Sequence, residues 1–167
     1  MLEIDVEADE EWDSSRPWAA LVRGAAEAAI AESAYPHLIE SDRLIELSVR
    51  LTSDEDVRAL NDTWRAKDKP TNVLSFPLAE AGDFMQAMIA GPELLLGDII
   101  LARGVCVAEA AEKGISVDQH ATHLLVHGTL HLLGHDHLDD QSAEDMEARE
   151  VRALSRLGIA DPYKVAA

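Results

Sequence analysis

Histidines with the spacing of a metal site stand in one stretch, HGTLHLLGHDH, at residues 127–137. His127 and His131 are four residues apart in an apolar run typical of a helix, so both side chains point from the same face. A helix that ends on a left-handed glycine turns its chain back, and Gly134 can carry His137 towards the other two in this way. Three neutral imidazoles with a free fourth position are the ligand set of a catalytic zinc. The stretch therefore predicts one bound Zn²⁺ per chain.

Spacing alone leaves the ligand set open. Four histidines fall within about 80° of one another on one helix face, taking about 100° per residue: His120, His123, His127 and His131. The best set is His127 and His131 with His137, because the turn supplies the third ligand from outside the helix. His123 and His127 are also four residues apart and form a rival pair.

The same spacing occurs in the zinc peptidase signature His-Glu-x-x-His, which makes a peptidase the first alternative. In that signature the glutamate acts as the general base. Gly128 takes its place here and cannot carry a proton. The ligand spacing is shared while the base is absent from its usual position, which argues against proteolysis.

A local cluster of basic residues stands out against a formal net charge of −18, namely Arg65, Lys67 and Lys69. Phosphate binding relies on Lys and Arg, so the net charge argues against broad, non-specific binding to nucleic acid, and DNA is not expected as a partner. A basic spot beside a dication can still hold a phosphodiester. A guanidinium fits phosphoryl oxygens bidentately, which an ammonium does not, so Arg65 is the candidate catalytic residue and Lys67 its support.

The bulk composition predicts one domain over residues 1–167. The 47% hydrophobic content is typical of a globular chain, and no apolar run approaches the ~20 residues of a membrane span. Cys106 is the single cysteine, which excludes an intrachain disulfide and fits a reducing compartment. We therefore expect a cytoplasmic protein without a membrane partner.

Hydrophobic periodicity predicts the element order β-α-β-α-β-β-α-α-α, and hence an α+β fold. We expect a small mixed sheet of about four strands, at residues 2–8, 44–51, 72–77 and 94–101, with five or so helices packed on it. The apolar residues of the helix at about 117–133 point nearly all round its axis, so this metal-binding helix should be central and buried. Residues 78–92 show no clear period and are predicted to form a flap rather than packed structure.

Three segments resemble the YbeY family of bacterial zinc-dependent endoribonucleases. The histidine stretch is similar to the family signature His-Gly-x-Leu-His-Leu-x-Gly-Tyr/His-Asp-His. Residues 61–77, NDTWRAKDKPTNVLSFP, are similar to a second motif and residues 96–99, LGDI, to a third. The segments occur in the family order, and the resemblance covers about residues 40–158.

The resemblance implies that His127, His131 and His137 bind the metal and that Arg65 is functionally essential. It implies an endonuclease for single-stranded RNA that acts in ribosomal RNA maturation, chiefly at the small-subunit 3′ end, and in ribosome quality control. Small-subunit ribosomal proteins are further expected partners. The attacking group is either a water activated by the metal or the RNA 2′-hydroxyl. His135 stands where the family commonly has tyrosine and offers an alternative ligand.

Two further expectations concern the same site. Lys67, Lys69 and Ser75 are predicted to contact substrate. The alternative from another functional class is a non-catalytic ribosome-assembly factor whose metal is structural.

Overall fold

A four-stranded sheet organises the computed structural model, which describes residues 1–89 and 91–164. The strands are β1 (Leu2–Ala8), β2 (Ile45–Thr52), β3 (Val73–Pro77) and β4 (Leu94–Ala102). Their order is β1-β2-β4-β3, in which β1, β2 and β4 are parallel and β3 runs antiparallel to β4. The predicted mixed sheet is therefore confirmed, with β3 at one edge.

Helices account for most of the remaining chain. They are α1 (Trp18–Glu32), α2 (Asp54–Arg65), α3 (Ala81–Met85), α4 (Arg103–Lys113), α5 (Val117–Leu132) and α6 (Asp140–Arg156), with a 3-10 helix at Pro36–Glu40. The predicted α+β class is confirmed. Within the part of the chain that the structure describes, no helix has the length and apolar character needed to cross a membrane.

The two faces of the sheet carry cores of unequal size. Because side chains alternate along a strand, Ile99 and Leu101 of β4 join the main core with α1 and α5. Ile100 and Ala102 face the other way and pack in a small cluster with Val57 of α2. The face of β3 and β4 that α2 covers is thus opposite to the face that carries the histidine helix.

Helix α5 is central and buried, as predicted. Ser116 accepts a hydrogen bond from the backbone of Gln119 and the Gln119 side chain accepts one from the backbone of Ser116, so the helix begins with a capping box. Gly128 faces the sheet, where a Cβ in its place would lie 3.0 Å from Cγ2 of Ile99. The glycine therefore allows α5 to lie close against β4.

The prediction that residues 78–92 form an unpacked flap was wrong for the middle of this segment. This segment contains α3, and Phe84 and Ala87 are buried in the main core. The Phe84 ring centroid lies 4.9 Å from that of Tyr35, and its carbonyl oxygen lies 2.8 Å from Nε2 of His37. Packing of Phe84 and Ala87 and the contacts of their carbonyl oxygens with His37 and Ser41 therefore hold a segment whose sequence has no visible period.

Glu32 at the end of α1 ties this helix to α6. Its carboxylate accepts hydrogen bonds from Nε of Arg152 at 2.9 Å and from Nε of Arg156 at 2.8 Å. Burial alone would raise the pKa of Glu32, but the hydrogen bonds from Arg156 and Arg152 outweigh it and lower that pKa.

Candidate active site

Helix α2 presents Arg65 at its final position. The helix begins at a Ser53 cap, whose hydroxyl accepts a hydrogen bond from the backbone of Asp56, and ends before Ala66, which has a left-handed φ of 55°. The buried Asn61 donates from Nδ2 to the carbonyl oxygen of Lys69 at 2.9 Å. The basic loop after α2 is therefore pinned to the helix that carries Arg65.

Arg65 reaches from α2 to the edge strand. Its Nη2 donates to the carbonyl oxygen of Ser75 at 3.1 Å, and its guanidinium carbon lies 5.7 Å from the centroid of the Phe76 ring. The side chain is otherwise exposed. Because a guanidinium has five N–H donors, the bond to Ser75 fixes its position and leaves donors for a bidentate contact.

Ser75 connects Arg65 to the histidine helix. The backbone N–H of Ala102 donates to the carbonyl oxygen of Asn72. In an antiparallel pair every second residue directs its backbone N–H and C=O groups at the neighbouring strand, so the residues that do this in β3 are the even-numbered ones. The backbone groups of Ser75 therefore point to the open edge of the sheet. The side chain of Ser75 turns to α5, where its Oγ lies 2.8 Å from Nδ1 of His131. One residue thus joins the predicted phosphate-binding arginine to a predicted metal ligand.

The three predicted metal ligands are neighbours at the end of α5. The ring centroids of His127 and His137 lie 5.8 Å apart. Burial lowers the pKa of His131, and the nearby His127, Arg65 and His137 lower it further. A lowered pKa favours the neutral imidazole, which is the form that binds a metal.

The donor chemistry of two of these histidines fits a metal. Nδ1 of His127 lies 2.8 Å from Oε1 of Glu150, and Nδ1 of His131 contacts the Ser75 hydroxyl, so both rings have Nε2 left for a ligand bond. Two imidazoles on one tetrahedral zinc have ring centroids roughly 5 Å apart. The separation of His127 and His137 is close to that value.

The arrangement of the three rings does not by itself define a metal site. Among residues 1–89 and 91–164, no group of three or more His, Cys, Asp or Glu side chains lies in a geometry that could hold a metal ion. His137 is the exposed member of the three and lies on the turn after Gly134, which has the expected positive φ of 90°.

The other histidines of this region have protein partners. Nε2 of His120 lies 2.8 Å from Oε1 of Glu109, and Nε2 of His123 lies 3.2 Å from the hydroxyl of Tyr163. Nε2 of His135 accepts a hydrogen bond from the backbone of Ala34 at 3.2 Å. These contacts occupy one ring nitrogen of each histidine, and Nδ1 of His120 and of His123 is buried without a hydrogen-bond partner. The choice of His127, His131 and His137 over the rival pair and the alternative ligand therefore stays a prediction.

The predicted substrate contacts have different surroundings. Lys67 and Lys69 are exposed in the loop after Arg65, where both can reach a bound polyanion. Ser75 is buried, and its hydroxyl is engaged by His131. A direct contact of Ser75 with substrate stays a prediction.

Two residues of this region were missed by the sequence reasoning, Glu150 and Tyr163. Glu150 of α6 is buried, contacts His127, and accepts a hydrogen bond from the hydroxyl of Tyr163 at 2.6 Å. The sequence does contain a signal for Glu150, because this acid shares the buried face of α6 with Met146, Ala153 and Leu154. An acid on the apolar stripe of an amphipathic helix indicates a buried polar partner.

Comparison with known proteins identifies a family for the chain. The sequence model of the family described as Endoribonuclease YbeY matches residues 4–158. The chain belongs to the YbeY family. The match confirms the predicted family and, at the level of that family, the predicted endoribonuclease function.

Relatives and a solved structure are similar over nearly the whole chain. Endoribonuclease YbeY of Rhizorhabdus wittichii is 50% identical, covering 99% of this chain and 98% of the relative. Endoribonuclease YbeY of Sphingopyxis alaskensis is 49% identical, with 98% of each chain covered. The solution structure of TM1509 from Thermotoga maritima has a TM-score of 0.55 at 20% identity, covering 98% of this chain and all of the other, and shares the fold.

Proposed function

We propose that the chain cleaves single-stranded RNA as a zinc-dependent endoribonuclease, with one metal held by His127, His131 and His137 and the phosphodiester bound by Arg65. The observation that carries the proposal is the position of Ser75. Its carbonyl oxygen binds Arg65 and its hydroxyl contacts His131. A phosphate bound at Arg65 therefore lies next to the imidazoles.

Arg65 binds and orients the phosphodiester. Cleavage builds negative charge on the phosphoryl oxygens, and a planar guanidinium stabilises that charge with paired N–H donors. The contact with Ser75 and the Phe76 ring orients the guanidinium before substrate binds, which reduces the reorganisation needed in the transition state. Lys67 and Lys69 attract the neighbouring phosphates as point charges.

The histidines hold the metal from two different segments, His127 and His131 from α5 and His137 from the turn after it. Neutral imidazoles leave the ion its full charge, and a zinc bound there supplies a Lewis acid for a phosphoryl oxygen and activates water. Glu150 holds Nδ1 of His127 and Ser75 holds Nδ1 of His131, which would leave Nε2 of each ring to bind the ion.

The peptidase alternative is disfavoured by packing as well as by sequence. A side chain at position 128 would be directed at Ile99 of β4, because a Cβ there already lies 3.0 Å from that residue. A glutamate at the place where the zinc peptidase signature needs one would therefore force Ile99 to move.

We further propose that the substrate is ribosomal RNA, at the small-subunit 3′ end and in ribosome quality control, and that the protein acts in the cytoplasm. This role follows from the family to which the chain belongs. Small-subunit ribosomal proteins are the expected protein partners.

A paired measurement of metal content and RNA cleavage tests the proposal. Wild type, His131→Ala and Arg65→Lys are purified identically, with Arg23→Lys as a matched control on the exposed face of α1. We expect about one zinc per wild-type chain and less in His131→Ala. We expect Arg65→Lys to retain zinc and to lose about 100-fold or more in kcat/KM, as for the loss of one preorganised donor.

Identical purification separates the activity from a contaminating nuclease, because a contaminant does not respond to either substitution. Cleavage at the wild-type rate by His131→Ala or Arg65→Lys would refute the proposal. Product ends identify the attacking group, since a 2′,3′-cyclic phosphate arises only from attack by the 2′-hydroxyl. A folded His131→Ala variant that still supported ribosomal RNA processing in cells would favour the non-catalytic assembly factor instead.

A further inference from the structure

A buried carboxylate lies behind the candidate metal site. Glu150 is 1% exposed and lies on α6, one helix away from the predicted ligands. A buried acid is costly unless it is paired and hydrogen-bonded, and an apolar residue at this position of the stripe would be cheaper. The position therefore calls for a role beyond packing.

Three donors surround this carboxylate. Oε1 lies 2.8 Å from Nδ1 of His127 and 3.3 Å from Nε2 of His123, and Oε2 accepts from the Tyr163 hydroxyl at 2.6 Å. Burial alone would raise the pKa of Glu150, but the hydrogen bonds from His123 and His127 hold it well below its usual range. With three donors converging on it, the Glu150 carboxylate is placed as an acceptor on both oxygens.

A carboxylate that only accepts hydrogen bonds fixes the proton of its histidine partner. Since it can only accept, His127 must donate from Nδ1, and the lone pair of the neutral ring then lies on Nε2. His127 is 28% exposed at its side chain, and its ring centroid lies 5.8 Å from that of His137. The same contact sets both the tautomer and the orientation of the ring.

We propose that Glu150 is the positioning residue that prepares His127 to bind the metal, and that Tyr163 holds Glu150 in place for this task. The inference rests on the proposed function, because it assigns a metal to His127. Tyr163 follows α6 in the chain, and its hydroxyl hydrogen bond couples the turn at residues 161–164 to the candidate active site.

The first test uses the apo protein and needs no activity. Long-range ¹H–¹⁵N correlation spectra report which ring nitrogen of His127 carries the proton. We expect the Nδ1–H tautomer in wild type and a mixture of tautomers in Glu150→Met, which removes both acceptor oxygens. A wild-type His127 protonated on Nε2 would overturn the proposal.

The second test measures zinc affinity by competition with a chromophoric chelator. Loss of a partner of this kind weakens metal binding by about 10–100-fold, and we expect that range for Glu150→Met. Glu144→Met is the control, because it removes the same charge from an exposed position of the same helix. Unchanged zinc affinity in Glu150→Met, with only the apo melting temperature altered, would show a purely structural role and refute the proposal.

Tyr163→Phe gives an independent arm that does not threaten folding, since it deletes one hydroxyl from a partly exposed side chain. We expect a loss of zinc affinity of about 3-fold to 10-fold, smaller than that of Glu150→Met because the hydroxyl acts through the carboxylate. Adding Tyr163→Phe to Glu150→Met should cause no further loss of zinc affinity. If Glu150→Met does not fold, an unchanged affinity in Tyr163→Phe overturns the proposal by itself.

Failure of the proposed function gives a different result. Wild-type protein that binds no zinc would refute the metal assignment, whatever the tautomer of His127. If wild type binds zinc and the Glu150→Met and Tyr163→Phe variants bind it with the same affinity, only the present inference is refuted.

Discussion

Gly97 of β4 offers the sharpest quantitative test of how the site is assembled. It has a φ of 141°, in the region that side chains rarely adopt, and it pairs with Pro77 of β3 and Leu47 of β2. A Cβ at this position would collide with the carbonyl oxygen of Phe76 and lie 2.9 Å from Cδ2 of Leu132. Gly97→Ala therefore disturbs the strand that supports Arg65 and the helix that carries the histidines.

The expected cost has two parts. A positive φ costs a non-glycine residue about 1–2 kcal/mol. The added overlap involves a backbone oxygen that cannot rotate away, and overpacking of this kind costs about 1–3 kcal/mol. The free energy of unfolding should therefore fall by about 2–5 kcal/mol, a large share of the 5–15 kcal/mol typical of a domain.

Urea unfolding followed by circular dichroism measures this loss. Gly134→Ala is the matched control, because its φ of 90° is also positive while nothing lies within 4 Å of the added Cβ. The control should lose only the conformational part, about 1–2 kcal/mol. A loss in Gly97→Ala no larger than in Gly134→Ala would show that the close approach of β3 to β4 is not as described.

Three further substitutions probe other contacts. Gly128→Glu should lower the free energy of unfolding by about 3 kcal/mol or more, from overpacking and a buried charge, and should give no activity on a peptide substrate. Ser75→Ala should weaken zinc binding about 10-fold in chelator competition, because His131 loses its Nδ1 partner while the carbonyl for Arg65 remains. Glu32→Gln should cost about 1–2 kcal/mol at neutral pH. Because the fold lowers the pKa of Glu32, this stabilisation is present above its ordinary value of 4.5 and disappears as the pH falls through the lowered value. The urea unfolding free energies of wild type and variant should therefore differ most at neutral pH and converge as the pH is lowered below 4.5.

The sequence was most informative where chemistry and periodicity coincide on one element. The spacing of His127 and His131 in an apolar run predicted a buried central helix, and Gly134 predicted the turn that follows it. Both features are local, since they depend on helical geometry and on the φ of one glycine. Apart from α3 and the 3-10 helix, the order of strands and helices along the chain was predicted for the same reason.

Contacts between distant elements were beyond the reach of the sequence. Arg65 and His131 come together because both contact Ser75. This arrangement depends on which backbone groups of β3 face the sheet edge, and hence on the register of β3 with β4. The burial of Phe84 depends on Tyr35 and His37, which lie more than forty residues away. Pattern alone contains no information on such pairings.

Glu150 is an intermediate case. Its place on the apolar stripe of α6 could be recognised from the sequence as an anomaly. Its partners, His127 and Tyr163, could be identified only from the packing of α6 against α5 and from the path of the turn after it.

The position of β3 at the edge of the sheet links catalysis to solubility. An unpaired edge exposes backbone groups that can recruit a strand from another molecule and so start aggregation, and a charged side chain at the edge opposes this. Arg65 bonds the outward carbonyl of Ser75 in the middle of β3 and places a charge there. The guanidinium that is proposed to bind phosphate therefore also opposes the pairing of β3 with a strand from another molecule. Selection for activity and selection against aggregation then act on the same side chain.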